Sequence, residues 1–384
     1  LPILNKKLGY YVCNGIEFES KIQAMVLSEF SKKPLYWHFN NEVFDNYNWT
    51  VEPEISLDQL YDARARQIRE QHDYVILAYS GGSDSHNVLM SFMRQGLHID
   101  EIVTNWALDI SKDYTVIDPN CRETWNHNAE YHLHTKQRLA EISAQLPRTK
   151  ITLLDTSKSI LDNFIHKPDA SWIENKKEVL NPYGTTNYNY TYFKEVRKQF
   201  DKGKSIALVI GGDKPRLKIV DNKFYLNFND KGVNMIQMQD HIAEYPNAHP
   251  ILFYWDSDSV DLLCKQSHVV RAWIHANPDK KHIWETTDFK TIRHVQEEYL
   301  KTIIYSTWKP EWFQVKKSTL DWYSELDWWF IKGRKDTTEY RVWQEGINYV
   351  KERIGSFLLH EDNGTIRGSV PLYSPNYFIG DIIV

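Results

Sequence analysis

The rhythm of apolar and polar positions changes three times along the chain. Over residues 1–55 the apolar runs are short. In GYYVCNGIEF (9–18), Asn14-Gly15 separates two of them and predicts a β-hairpin. ESKIQAMVLSEF (19–30) brings Ile22, Met25, Val26 and Phe30 onto one helical face, and PLYWHFN (34–40) reads as a short strand. From Ser56, SLDQLYDARARQIREQ predicts an amphipathic helix with Ser56 as its N-cap.

The pattern then alternates. Tyr74–Tyr79 is a strand, and residues 85–95 form a helix with Val88, Leu89, Phe92 and Met93 inward. Ile102–Trp106 is a second strand, 121–146 a long helix, and KITLLD (150–155) a third strand. An Asn- and Tyr-rich stretch, NPYGTTNYNYTY (181–192), precedes a helix ending near Phe200. SIALVIGGDKPRL (205–217) gives a fourth strand that runs into Gly211-Gly212. Strands alternating with helices imply a parallel sheet covered on both faces.

Beyond this the rhythm changes again. LKIVDNKFYLNF (217–228) predicts a hairpin turning at Asp221-Asn222, and PILFYWDSDS (250–259) a last apolar strand. From Val260 to about Ile354 the spacing is helical, and SVPLYSPNYFIGDIIV (369–384) reads as irregular or extended. The expected organisation is a small N-terminal α+β unit (1–55), an α/β domain (56–260) and a helical, Trp-rich C-terminal region (261–384).

Composition narrows the functional classes. Net charge is −5, so the chain as a whole has no attraction for nucleic acid. Nine of the 14 tryptophans lie beyond residue 250, which predicts indoles packed as core ahead of a platform for stacking bases. Cys13, Cys121 and Cys264 are far apart, against a disulfide scaffold, a zinc ribbon or a locally built iron–sulfur site. No signal peptide or membrane-spanning run is visible, and cytoplasm is the expected compartment.

The chemistry concentrates where the first parallel strand ends, in Ser80-Gly81-Gly82-Ser83-Asp84-Ser85. The two glycines reach backbone angles closed to other residues and let a ligand approach. Free N–H groups at the start of the following helix favour an anion, and Ser80, Ser83 and Ser85 add hydroxyls. Asp84 would repel phosphate, so it is expected to hold Mg²⁺ or to orient the loop.

Neither GxxxxGK[ST] nor GxGxxG is present. The loop matches S-G-G-x-D-S, and over roughly residues 70–260 the chain resembles the PP-loop ATP pyrophosphatases. That superfamily includes asparagine synthetase, phosphoadenylylsulfate reductases and tRNA-thiolating enzymes. The resemblance implies an adenine-nucleotide α-hydrolase-like (Rossmann-like) α/β core in which Ser80, Gly81, Gly82, Ser83, Asp84 and Ser85 hold the β- and γ-phosphates of ATP. It also implies cleavage between the α- and β-phosphates, transfer of AMP to a substrate oxygen and displacement by an amine or ammonia. The acceptor is an unidentified small molecule or nucleobase. By position in the family, the end of the second strand, Val103, Thr104, Asn105 and Trp106, lies beside adenine, with Trp106 stacking.

All C-termini of a parallel sheet open on one edge, so Gly211-Gly212-Asp213-Lys214-Pro215-Arg216 is expected to face the first loop. The resemblance makes Gly212 a nucleotide contact and Asp213 a second Mg²⁺ ligand beside Asp84. Lys214 and Arg216 then join Asp84 and Ser85 in the chemistry, neutralising the leaving pyrophosphate. Asp256 and Asp258 predict helix capping ahead of metal binding, and His127, His132 and His134 a surface helix. Asp155, after the third strand, is a weaker candidate. The first cysteine is Cys13 and about 70 residues precede the loop, so a glutaminase domain is not expected. A reductase or sulfurtransferase relative is the alternative enzyme, and a nucleotide-binding module without turnover the alternative class.

Overall fold

The computed structural model describes residues 6–110, 123–124, 131–157, 170–175, 201–234, 247–288, 291–309, 316–317, 325–360 and 366–383. The predicted stretch 181–192, the helix ending near Phe200 and His127 lie outside these residues.

The N-terminal unit forms as its pattern dictates. Strands β1 (Tyr10–Cys13), β2 (Ile16–Phe18) and β3 (Leu35–His38) make an antiparallel sheet in the order β2-β1-β3. Asn14 and Gly15 turn the first hairpin, both at positive φ. Helix α1 (Lys21–Ser31) buries Ile22 and Met25. Phe30, expected on that face, is instead 88% exposed at the helix's last turn. Helix α2 (Leu57–Gln71) starts at Ser56, whose Oγ accepts from the Gln59 N–H at 3.3 Å.

The centre is a five-stranded parallel sheet of β4 (Tyr74–Ala78), β5 (Glu101–Trp106), β6 (Lys150–Asp155), β7 (Ile206–Ile210) and β10 (Ala248–Leu252). Between β7 and β10 stand β8 (Arg216–Val220) and β9 (Lys223–Asn227) of the predicted hairpin, with Asp221 and Asn222 at positive φ. The sheet order is β10-β7-β4-β5-β6. The chain enters in the middle at β4, moves outward through β5 and β6, and returns to β4's other side with β7. The winding direction therefore reverses between β4 and β7, which opens a crevice beyond their C-terminal ends. Burial explains the composition of these strands: Val75, Ile76, Leu77, Ala207, Leu208 and Val209 are all buried.

Helix α3 (Ser83–Arg94) follows β4 directly, burying Val88, Leu89 and Phe92. Helix α4 (Lys136–Gln145) continues directly from a π-helical segment at Tyr131–Thr135. The single long helix expected over 121–146 is not formed, because Glu123-Thr124 pairs as parallel strand with Lys316-Lys317. Helices α5 (Val260–Ala276), α6 (Glu297–Ile304), α7 (Glu325–Gly333) and α8 (Thr338–Ile354) form the C-terminal region. After them, β11 (Leu358–His360) and β12 (Ile366–Ser369) make a hairpin. The tail, expected to be irregular or extended, supplies β13 (Tyr377–Asp381), which pairs with β9 in a separate antiparallel sheet β13-β9-β8.

The larger of two apolar clusters runs from Tyr11, Trp37 and Phe44 through the parallel sheet to Leu262, Trp284 and Ile379, and a second, with Ile22, Met25, Trp172, Phe330, Trp343 and Ile347, joins α1 to α7 and α8. Phe228 is a junction, with ring centroids 5.3 Å from Phe39, 5.0 Å from Phe44 and 5.0 Å from Trp255. Trp255 and Trp284 are fully buried, so these indoles are core. No helix among the described residues is long and apolar enough to cross a membrane.

Candidate functional site

Ser80–Ser85 sits at the crevice between β4 and β7. Gly81 is left-handed (φ +85°) and lies against the Thr135 side chain, so a β-carbon there would clash with the Thr135 hydroxyl. Gly82 is the N-cap of α3, which leaves the first-turn N–H groups of Ser83, Asp84 and Ser85 without intrahelical acceptors. The hydroxyls brace the loop from within. Ser80 Oγ accepts from the Gly82 N–H at 3.2 Å, and Ser85 Oγ donates to Gly82 O at 3.2 Å and accepts from the Ser80 N–H at 3.3 Å.

The second glycine pair meets this loop. A β-carbon on Gly211 would stand 2.9 Å from Ser85 Cα, so only glycine lets the ends of β4 and β7 touch here. On Gly212 the same atom would meet only Ile210 Cγ2, at 4.0 Å. The Gly212–Asp213 peptide is cis, and the Lys214 N–H donates to Asp213 Oδ1 at 2.7 Å.

From this turn the Lys214 side chain reaches across to α3. Its Nζ lies 2.8 Å from Asp84 Oδ2, while the Tyr305 hydroxyl donates to Asp84 Oδ1 at 2.7 Å. The Tyr254 hydroxyl donates to the Asp84 carbonyl at 2.9 Å and accepts from Asn87 Nδ2 at 3.1 Å. Burial opposes ionisation of Asp84, but the Lys214 ammonium and the hydrogen bonds from Lys214 and Tyr305 outweigh it and hold the carboxyl below its ordinary range. Burial likewise opposes charge on Lys214, and Asp84, Asp213 and Glu297 reverse that, holding the ammonium above its ordinary range. Asp213 is displaced upward, first by burial and then by Asp84 and Glu297, with Lys214 opposing. Burial raises the Tyr254 and Tyr305 phenols far above their ordinary value, so both remain donors.

Beneath the loop, His86 is buried with Nδ1 3.2 Å from the Tyr79 hydroxyl. Burial first, then the charges of Arg138 and Lys309, push it down to about 4. Arg138 and Lys309 thus add positive charge near the start of α3.

The structure brings Ser80–Ser85, Gly212, Asp213 and Lys214 together and leaves other expected residues elsewhere. Arg216 opens β8 with its guanidinium 5.9 Å over the Tyr373 ring, directed to the tail. Trp106 is buried, its indole N–H donating to Thr104 Oγ1 at 2.8 Å and its ring 5.7 Å from Tyr131, so it offers no stacking face. The carbonyls of Val103 and Trp106 accept from the N–H groups of Tyr79 and Thr156. Asn105 is the exposed side chain at this strand end.

Asp256 caps the turn before α5, Oδ1 accepting from the Asp258 N–H at 2.9 Å, and it also pairs with Arg64. Asp258 pairs with Lys7 at 2.6 Å. Asp155 shapes its own loop through the N–H groups of Asp109 and Ser157, each at 3.0 Å. Among the described residues no group of three His, Cys, Asp or Glu is placed to hold a metal ion. Cys13 and Cys264 are buried, and burial pushes the Cys264 thiol up to about 11.

Tyr254, Tyr305, Thr135 and Arg138 were not marked by sequence. Tyr254 had a signal, since it follows the last apolar strand at the same sheet edge. Tyr305 had none, being 221 residues from its partner. No protein-family model matches the chain, and no curated protein matches it.

Proposed function

We propose that the protein is an ATP pyrophosphatase of the PP-loop type, with an adenine-nucleotide α-hydrolase-like core, that transfers AMP to a substrate oxygen. The observation that carries this reading is the place of the SGGSDS loop. It lies at the reversal of a doubly wound sheet, touches the second glycine turn at Gly211, and has the buried Lys214 ammonium between the two.

The N–H groups of Ser83–Ser85 and the loop hydroxyls hold the β- and γ-phosphates, as a helix N-terminus favours. Lys214 offsets charge that develops on the leaving pyrophosphate. Asn105 is the side chain open to the base, and Gly212 leaves room beside the phosphates. Asp84 and Asp213 do not fit a resident metal site, because both oxygens of Asp84 are engaged, one by the Lys214 ammonium, and Asp213 Oδ1 accepts from the Lys214 N–H. Mg²⁺ belongs to this reading as the ion that accompanies ATP on its phosphate oxygens. The adenylated oxygen is then displaced by an amine or ammonia.

Incubation with α-³²P-ATP, Mg²⁺ and metabolite or nucleic-acid pools tests the reaction class. Labelled AMP with free pyrophosphate is expected. Labelled ADP would overturn it, and ATP binding with no turnover in any pool would leave a nucleotide-binding module.

A further inference from the structure

The cation at this site is already built into the chain. Asp84 presents two oxygens, one on Lys214 Nζ at 2.8 Å and one on the Tyr305 hydroxyl at 2.7 Å. Asp213, the residue before this lysine, accepts from its backbone N–H at 2.7 Å, and Glu297 of α6 adds to the field on the ammonium. The Lys214 side chain is 8% exposed, Asp84 27% and Tyr305 buried, so water screens this pair less than it would a surface pair.

We propose that Lys214 is a resident cation that keeps divalent metal off the Asp84 and Asp213 carboxylates in the nucleotide-free protein. Asp84 is then a positioning residue that aims this ammonium at the anion, and Tyr305 holds Asp84 in that orientation. The part concerning the anion rests on the phosphate reading above; the part concerning metal does not. A second cation approaching these carboxylates meets the repulsion of the first at close range. The four-carbon stem of lysine lets the ammonium turn from Asp84 toward an anion at Ser80–Ser85 while the backbone stays in place.

Two measurements without nucleotide test this. In Mn²⁺ titrations followed by electron paramagnetic resonance, the native protein and Lys214→Arg should show no site tighter than about 1 mM, while Lys214→Met should gain at least about tenfold in affinity. A native site of higher affinity that is lost in Asp84→Asn, or a folded Lys214→Met with no gain, would overturn the metal part. The native arm decides it even if Lys214→Met does not fold. In metal-free calorimetry with inorganic pyrophosphate, Asp84→Asn should bind at least about fivefold more weakly than native protein. Loss of a negative charge alone has the opposite sign, so unchanged or tighter binding would overturn the positioning role. Failure of native protein to bind pyrophosphate would overturn both that role and the phosphate reading, leaving the Mn²⁺ result to stand alone.

Discussion

Gly211 backs onto Ser85 so closely that a β-carbon on it would stand 2.9 Å from Ser85 Cα and 3.0 Å from Ser85 N. These are backbone atoms in the first turn of α3 and cannot move aside cheaply. Gly211→Ala is therefore expected to cost roughly 1–3 kcal/mol and to push the two turns apart. Gly212→Ala, with its nearest atom 4.0 Å away, should cost less than about 1 kcal/mol. Urea denaturation of both variants checks the contrast, and ATP affinity should fall for Gly211→Ala. Equal costs at the two positions would contradict the close approach.

At Gly81 two effects coincide, a φ of +85° and the Thr135 side chain against the missing β-carbon. Backbone strain should cost Gly81→Ala about 1–2 kcal/mol by itself, and the clash with Thr135 adds to it. Gly81→Ala combined with Thr135→Ala should recover the steric part and leave the backbone part. A double-mutant cycle with no coupling would show that Thr135 does not pack on the loop.

How much of this was legible in the sequence follows the reach of each signal. Asn14-Gly15, Ser56 and Asp221-Asn222 are local devices, and the chain turns or starts helices at each. The alternation of strands and helices fixed the parallel sheet, and from it the facing of the two glycine pairs followed. Trp106 shows the limit of this reasoning: position at a strand end said nothing about the burial of its ring, which lies 5.7 Å from Tyr131. Phe30 completes a helical stripe yet lies at a helix end where nothing packs on it. The tail strand β13 was hidden because its partner β9 is about 150 residues earlier and their register shifts between Phe224 and Tyr225. Tyr305 was invisible for the same reason of distance.

His86 makes stability depend on pH. Burial, Arg138 and Lys309 push its folded value down to about 4, while the unfolded value stays near 6.5. Between these values the unfolded chain binds more protons, so this contribution is fully present above pH 6.5 and is lost as pH falls toward 4. Its size is roughly 3 kcal/mol. His72, His249 and His268 are lowered by burial with the same sign, so the informative quantity is a difference between proteins. Unfolding free energies at pH 7 and pH 5 should differ less in His86→Gln than in native protein. An unchanged pH slope would show that His86 is not held neutral.

Lys21 and Asp230 pair at 2.7 Å with both side chains fully buried. Asp230 also accepts from the Tyr11 hydroxyl at 3.2 Å and the Leu372 N–H at 3.1 Å, and Lys21 donates to Val370 O at 2.7 Å. One buried pair thus ties α1, the segment after β9 and the tail into the same core. Lys21→Met leaves the carboxylate without its counter-ion and is expected to destabilise by about 3–5 kcal/mol. Lys21→Met with Asp230→Asn should cost less than Lys21→Met alone, since the uncompensated charge is gone. Because the larger core cluster runs through all three segments, native protein should unfold in one transition seen alike by circular dichroism and tryptophan fluorescence. A loss below about 1 kcal/mol in Lys21→Met would mean that this pair contributes little to holding the N-terminal unit and the tail on the sheet.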